Sequence, residues 1–259
     1  MTIIFYDIPS KLPGCAWSHN TWKTRFYLNY RRIPYKTEWI EYPDIKAFSL
    51  LHSIPPTTIL PSSSDQEPVY TLPAIHDPLT GIYLADSLAI AEYLEEKYPE
   101  SVTGAPTVFP NNTLGLQKAF NNAVDKTLVT HRLFLISVVN ILNPSSEEYW
   151  RRTRTARLKV EKLEDAIPKG EDAEVRWATF ESELERVAKW FLSESQETAF
   201  KFVMGNQPIW ADIVVAAELI WMKLVWGAES DQWNEVARWD DGKWSGLLEA
   251  MEPYASTDK

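Results

Sequence analysis

From Thr2 to Ile8 the chain reads TIIFYDI, apolar and β-branched until Pro9 stops it, which predicts a short strand. Trp22, Phe26 and Tyr30 then recur every four residues, with Tyr27 beside them, so residues 21–31 read as a helix that Ser18 or Asn20 would cap. Residues 35–42, YKTEWIEY, alternate like a strand, and strand, helix, strand in that order predicts parallel pairing. A proline- and serine-rich stretch, IPPTTILPSSSDQEPVY, leads to TLPAIHD, a short strand containing Pro73. Proline cannot donate to a ladder, so Pro73 marks a special backbone site and a candidate cis bond. A turn at Gly81, a short strand and a helix opened by Asp86 and Ser87 and running to Tyr98 follow.

Residues 99–113 have the proline and small polar composition of a linker, and beyond them the period is helical. Residues 114–142 read as one long helix, and Ser145 with Glu148 forms a capping box for the next. Residues 172–195 and 208–227 give two more helices. The expected fold class is α/β plus all-α, divided into residues 1–100, a linker at 101–112 and a helical domain at 113–259.

Charge narrows the partners. Twenty-six basic against thirty-six acidic residues give a net charge of −10, which repels nucleic acid and anionic lipid. The short basic run RRTRTARLK reads as a solvated helix face, with Glu147 and Glu148 four residues before Arg151 and Arg152. No stretch is long and apolar enough to span a membrane, the N-terminus lacks a signal-peptide pattern, and a single cysteine suits a reducing compartment, so a cytoplasmic location is expected. The four histidines show no ligand spacing, so no metal is expected, and no phosphate-binding glycine motif occurs. Twelve tryptophans imply either an aromatic core or a surface for flat aromatic ligands.

The stretch LPGCAWSHNTW, residues 12–22, offers Cys15, Ser18 and His19 between the first strand and the first helix. Together with LP at 72–73, ADSLAIAEYL at 85–94 and GNQPIWADIVVAAEL at 205–219, it resembles the cytosolic glutathione transferases over roughly residues 2–226. The residues WSHNTWKTRFYLNY resemble the serine-type branch that includes bacterial lignin β-etherases and an etherase-related fungal class. The resemblance implies a thioredoxin-like glutathione-binding domain followed by an all-helical domain, glutathione as co-substrate, and a homodimer. It places Leu72 and cis-Pro73 against the cysteinyl part of glutathione and Asp86 and Ser87 at its γ-glutamyl end.

Counting back from RRIPYK, Ser18 falls where serine-type members place the hydroxyl that meets the glutathione sulfur, with Asn20 and Thr21 as rival donors. A hydroxyl at the positive end of a helix favours thiolate over thiol, so sulfur is the nucleophile and serine its stabiliser. Cys15 lies three residues too early and reads as a structural thiol. Trp17, Trp22, Phe120, Val124 and Trp226 are the expected walls for an aromatic acceptor, although side chains at such helical positions are more often plain core. Lys46 and His52 are candidates for the glycine end of glutathione.

Two departures from the family pattern stand out. Ile209 replaces the usual Ser or Thr at its helix start, leaving Asp212 to accept from the backbone, and Asp86 stands where glutamate is commoner. The expected function is glutathione transfer to, or removal from, small aromatic molecules. The alternative is a ligandin-like carrier of plant or wood polyphenols, with tryptophan-rich clefts doing the binding.

Overall fold

The computed structural model describes residues 2–60, 67–191 and 201–257. The N-terminal half opens with β1 (Ile3–Asp7), α1 (His19–Tyr30), β2 (Tyr35–Trp39), α2 (Ile45–Leu51), β3 (Thr58–Leu60) and β4 (Glu67–Val69), and continues with β5 (Ala74–Asp77), β6 (Ile82–Ala85), α3 (Ser87–Lys97) and the short α4 (Glu100–Thr103). A four-stranded sheet has the order β2-β1-β5-β6: β1 and β2 pair in parallel, as the strand-helix-strand pattern requires, and the others antiparallel. β3 and β4 pair antiparallel as a separate two-stranded sheet, and the serine-rich part of the insert lies outside the described residues.

The remainder is α5 (Leu114–Thr127), α6 (His131–Phe134), α7 (Pro144–Leu158), α8 (Gly170–Lys189), α9 (Trp210–Trp226), α10 (Asp231–Val236) and α11 (Trp239–Met251). The architecture is the expected one, a small thioredoxin-like sheet domain and a helical domain. The compact units draw on interrupted stretches of chain. One takes residues 1–107, 142–150 and 254–259, the other residues 108–141 and 151–253, whereas the sequence reading cuts the chain once between 100 and 113.

Three local expectations are corrected. The expected single helix over 114–142 breaks after α5, because the Glu183 carboxylate accepts from the backbone N–H of Val129 (3.2 Å) and Thr130 (3.1 Å) and from the Thr130 hydroxyl (2.7 Å). Those amides are satisfied outside a helix, at a β-branched pair that loses little by leaving one. Secondly, Ser145 is not an N-cap: α7 begins at Pro144, whose fixed φ and missing N–H suit the first helical position, so Ser145 falls inside the first turn. Thirdly, the strand expected over 35–42 stops at Trp39, and residues 42–44 make a single 3₁₀ turn. The expected helix over 172–195 is α8 as far as Lys189, and residues 192–195 lie outside the described residues.

The aromatic-core reading holds for most of the tryptophans: Trp17, Trp22, Trp210, Trp221, Trp233, Trp239 and Trp244 are buried. In the helical unit Trp177, Trp226, Trp239, Phe134 and Phe180 pack edge to face or tilted at 5.1–6.5 Å between ring centroids. Such geometry adds about 0.5–1.5 kcal/mol per pair to the area buried.

Candidate active site

Sheet register gathers the expected glutathione residues at one end of the sheet. β1 ends at Asp7, and the chain turns through residues 8–18 into the N-terminus of α1. β5 runs antiparallel to β1 with Ala74 opposite Tyr6, so residues 72 and 73 project past the same end. The Leu72–Pro73 bond is cis, and Leu72 precedes the strand, leaving its backbone outside the ladder. β6 returns with Ala85 opposite Ala74, which brings Asp86 beside Pro73, its N–H donating to the Pro73 carbonyl at 3.3 Å.

Asp86 is the N-cap of α3: one carboxylate oxygen, Oδ1, accepts from Leu88 and Ala89 N–H at 3.0 Å each. Its φ of 80° lies in the left-handed region that non-glycine residues enter only when the surroundings require it. Here the chain must turn from β6 into α3 within one residue. The residue is exposed, so its charge stands available to a ligand, while Ser87 is buried at the first position of the helix.

At the other helix start, Ser18 is the N-cap of α1 in extended conformation (φ −72°, ψ 129°). Its carbonyl accepts from Trp22 N–H (2.9 Å) and the Thr21 hydroxyl (3.0 Å), yet its own hydroxyl makes no capping bond. The rivals differ. Thr21 is fully buried with its hydroxyl spent on Ser18, and Asn20 is half-buried with its Oδ1 accepting from Lys23 Nζ at 3.3 Å.

Behind this helix start lies an ion pair that the sequence reading missed. Asp7 and Arg25 are both fully buried with Oδ2 and Nη2 at 2.7 Å. Burial pushes the Asp7 carboxyl up from the usual carboxylate range, against the pull of Arg25. Arg25 also lies 5.0 Å from the centre of the Phe5 ring and 5.8 Å from those of Trp22 and Tyr35, a cation enclosed by aromatic faces. The one signal for it in the sequence is a charge inside the apolar stripe of α1.

The aromatic residues named from sequence separate into groups. Trp17 is buried and tilts against Tyr42 at 6.2 Å, and Tyr42 stacks on Tyr149 at 5.9 Å, so a run of three rings starts at the residue next to Ser18. Trp22 is buried on the core side of α1 against Phe26. In the helical unit Val124 is fully buried, Phe120 lies edge-on to Trp190 and Phe191, and Trp226 donates its indole N–H to the Phe134 carbonyl at 3.2 Å. Lys46 is exposed on α2, and His52 stacks on Tyr83 at 4.1 Å. Cys15 is half-buried, with φ 59°.

Comparison with known proteins decides the family. The model described as glutathione S-transferase, C-terminal domain, matches residues 115–254, and the corresponding N-terminal domain matches residues 17–97. The chain belongs to the glutathione S-transferases. It is 30% identical to the glutathione S-transferase-like protein ustS of Aspergillus flavus over 95% of this chain and 88% of that one. Among solved structures, a glutathione S-transferase of Ceriporiopsis subvermispora in complex with glutathione is 40% identical, with a TM-score of 0.90 over 99% of this chain and 98% of that one. Glutathione transferase GSTFuA3 from Phanerochaete chrysosporium is 37% identical, with a TM-score of 0.88 over 100% and 99%.

The transferase therefore uses glutathione as co-substrate. Among its described residues no group of three or more His, Cys, Asp or Glu could hold a metal ion, and no helix is long and apolar enough to cross a membrane.

Proposed function

We propose that this transferase is of the serine type: Ser18 donates its hydroxyl to the sulfur of bound glutathione, favours the thiolate, and leaves sulfur to attack a small aromatic electrophile or a glutathione adduct. The observation that carries the reading is the idle hydroxyl of Ser18, set at the positive end of α1 where the family places its sulfur-binding donor. Thr21 is less suited, its hydroxyl already engaged. At the same end of the sheet, the Leu72 backbone would receive the cysteinyl amide. The Ser87 hydroxyl and its backbone N–H, which the Asp86 cap leaves unused, would bind the γ-glutamyl carboxylate, and exposed Asp86 its ammonium.

The rings of Trp17, Tyr42 and Tyr149 favour an aromatic acceptor, and also the carrier reading, in which phenols bind with little turnover. Trp22, Phe120, Val124 and Trp226 we assign to packing within their own units rather than to acceptor contact, on the strength of their neighbours there. A homodimer acting in the cytoplasm completes the proposal.

The test is steady-state turnover with glutathione and a panel of aryl halides, isothiocyanates, peroxides, disulfides and β-aryl ethers, run beside Ser18→Ala. Turnover that falls in the variant while glutathione affinity holds supports the serine mechanism. An unchanged rate transfers the role to Asn20. Absence of turnover in the parent, with saturable quenching of tryptophan fluorescence by phenols, makes the protein a carrier.

A further inference from the structure

The residues before Ser18 form one bonded loop. Ser10 donates both its N–H (3.0 Å) and its hydroxyl (2.9 Å) to the Cys15 carbonyl, Cys15 N–H donates to Leu12 (2.9 Å), and Ala16 N–H donates to Gly14 (2.7 Å). A displacement at Gly14 therefore passes to Cys15 and Ala16 and on to Ser18. Gly14 has φ 73°, and a Cβ built there would stand 2.6 Å from Thr257 Oγ1. Thr257 thus rests on the loop where only glycine leaves room.

The segment carrying Thr257 is held along the back of α1 by buried donors. Asn29 Nδ2 donates to the carbonyls of Tyr254 (2.8 Å) and Ser256 (2.9 Å). The Tyr35 hydroxyl reaches the Ser256 carbonyl at 3.4 Å and Arg25 Nη1 the Thr257 carbonyl at 3.5 Å. The Tyr254 ring stands edge-on to Tyr30, with centroids 5.2 Å apart. Arg25 is the partner of Asp7 at the end of β1, so one guanidinium joins the segment to the strand that leads into the loop. Residues 254–259 belong to the same compact unit as the glutathione residues, although more than 225 positions separate Thr257 from Asn29 in sequence.

We propose that residues 254–257 are a strap that positions the sulfur-binding loop, with Asn29 and Thr257 as positioning residues for the Ser18 hydroxyl. This rests on the serine reading of the site. Neither residue is among those proposed to bind glutathione. The strap sets how well the Ser18 hydroxyl meets the sulfur, while glutathione binding depends on Leu72, Asp86 and Ser87 elsewhere in the unit. A merely stabilising segment would change the melting temperature and leave the acidity of bound glutathione alone.

The experiment reads the thiolate absorbance of bound glutathione against pH, with glutathione affinity by calorimetry and a thermal melt. It uses the parent, Ser18→Ala, Asn29→Ala, Thr257→Ala and a chain ended after Pro253. Asn29→Ala and the shortened chain should raise the apparent pKa of the bound thiol by about one unit, a tenfold lower thiolate fraction below it, with affinity within about twofold. Thr257→Ala, which keeps the backbone bonds, should raise it less. A thiol pKa that stays at the parent value in Asn29→Ala and Thr257→Ala, while Ser18→Ala raises it, overturns the strap and spares the serine reading. A pKa unmoved by Ser18→Ala overturns both. Should the shortened chain fail to fold, the two point variants decide.

Discussion

At the start of α9 the N–H of Ile209 donates to Asp212 Oδ2 at 2.9 Å and that of Val203 to Oδ1 at 2.8 Å, so both carboxylate oxygens are used, in a fully buried place. At the start of α1 the capping residue is a serine whose hydroxyl bonds nothing in the helix it heads. Each helix presents the same positive end and the same unpaired amides. α9 uses its side-chain acceptor to close that end and fix the fold, while at α1 the capping hydroxyl is left out of the cap, which is what the proposed role of Ser18 requires. α3 stands between them, with Asp86 capping through one oxygen while its carboxylate remains exposed. A helix start whose polar side chain is left over is therefore the place to look for chemistry.

That contrast breaks most readily at Asp212. Asp212→Ala strands two backbone N–H groups, one of them wholly buried, and should cost about 3 kcal/mol of stability, read by urea denaturation. The pH dependence gives a second check. Burial pushes the Asp212 carboxyl up to about 7, against its bonds to Ile209 and Val203 and the charge of Lys243. Between the unfolded value near 3.8 and about 7, the folded chain holds a proton that the unfolded chain has lost. This group's contribution to stability is thus complete below that window and declines as pH rises through it. Asp212→Asn cannot titrate, and its urea midpoint should lose this part of the pH dependence.

At α1 the effect should appear in chemistry and not in folding. On the proposed serine reading, Ser18→Ala removes the hydroxyl that favours the glutathione thiolate, which should lower turnover by about 100-fold. Because the hydroxyl makes no capping bond, the melting temperature should stay close to that of the parent. A large loss of stability would mean that Ser18 belongs with Asp212 as a structural cap.

The difference between the two helix starts was only partly legible in sequence. The pattern of Trp22, Phe26 and Tyr30 located α1, and Asp212 three residues after Ile209 announced the bond that forms there, because both signals are local. Leu72–Pro73 and Asp86–Ser87 could be found as separate motifs, and sheet register then brought Asp86 beside Pro73. What escaped is non-local. Glu183 breaks the expected long helix from over fifty residues away, and nothing in LVTHRL shows it. Arg25 and Asp7 lie eighteen positions apart, and the contact of Thr257 with Gly14 spans most of the chain.

Asp86→Asn sharpens the intermediate case at α3. Asparagine tolerates positive φ and caps as well as aspartate, so α3 should keep its start. The charge proposed to face the γ-glutamyl ammonium is lost, which should weaken glutathione binding by about tenfold in calorimetry, the scale of one charge-assisted hydrogen bond. Unchanged affinity would confine Asp86 to the role of cap.

The smallest effect is expected at Cys15. It shares the loop with Ser18 and is a free thiol, so a redox reading has some appeal. Its N–H and carbonyl are tied to Leu12 and Ser10, however, and its φ of 59° follows the left-handed turn begun at Gly14. What the loop requires there is backbone shape, which serine supplies at similar size. Cys15→Ser should leave turnover and thiol acidity within about twofold, the limit set by a surface substitution of about 0.5 kcal/mol. A larger fall in reduction of mixed disulfides, with aryl transfer retained, would give the protein a second nucleophile and end the view of Ser18 as the one functional group of this loop.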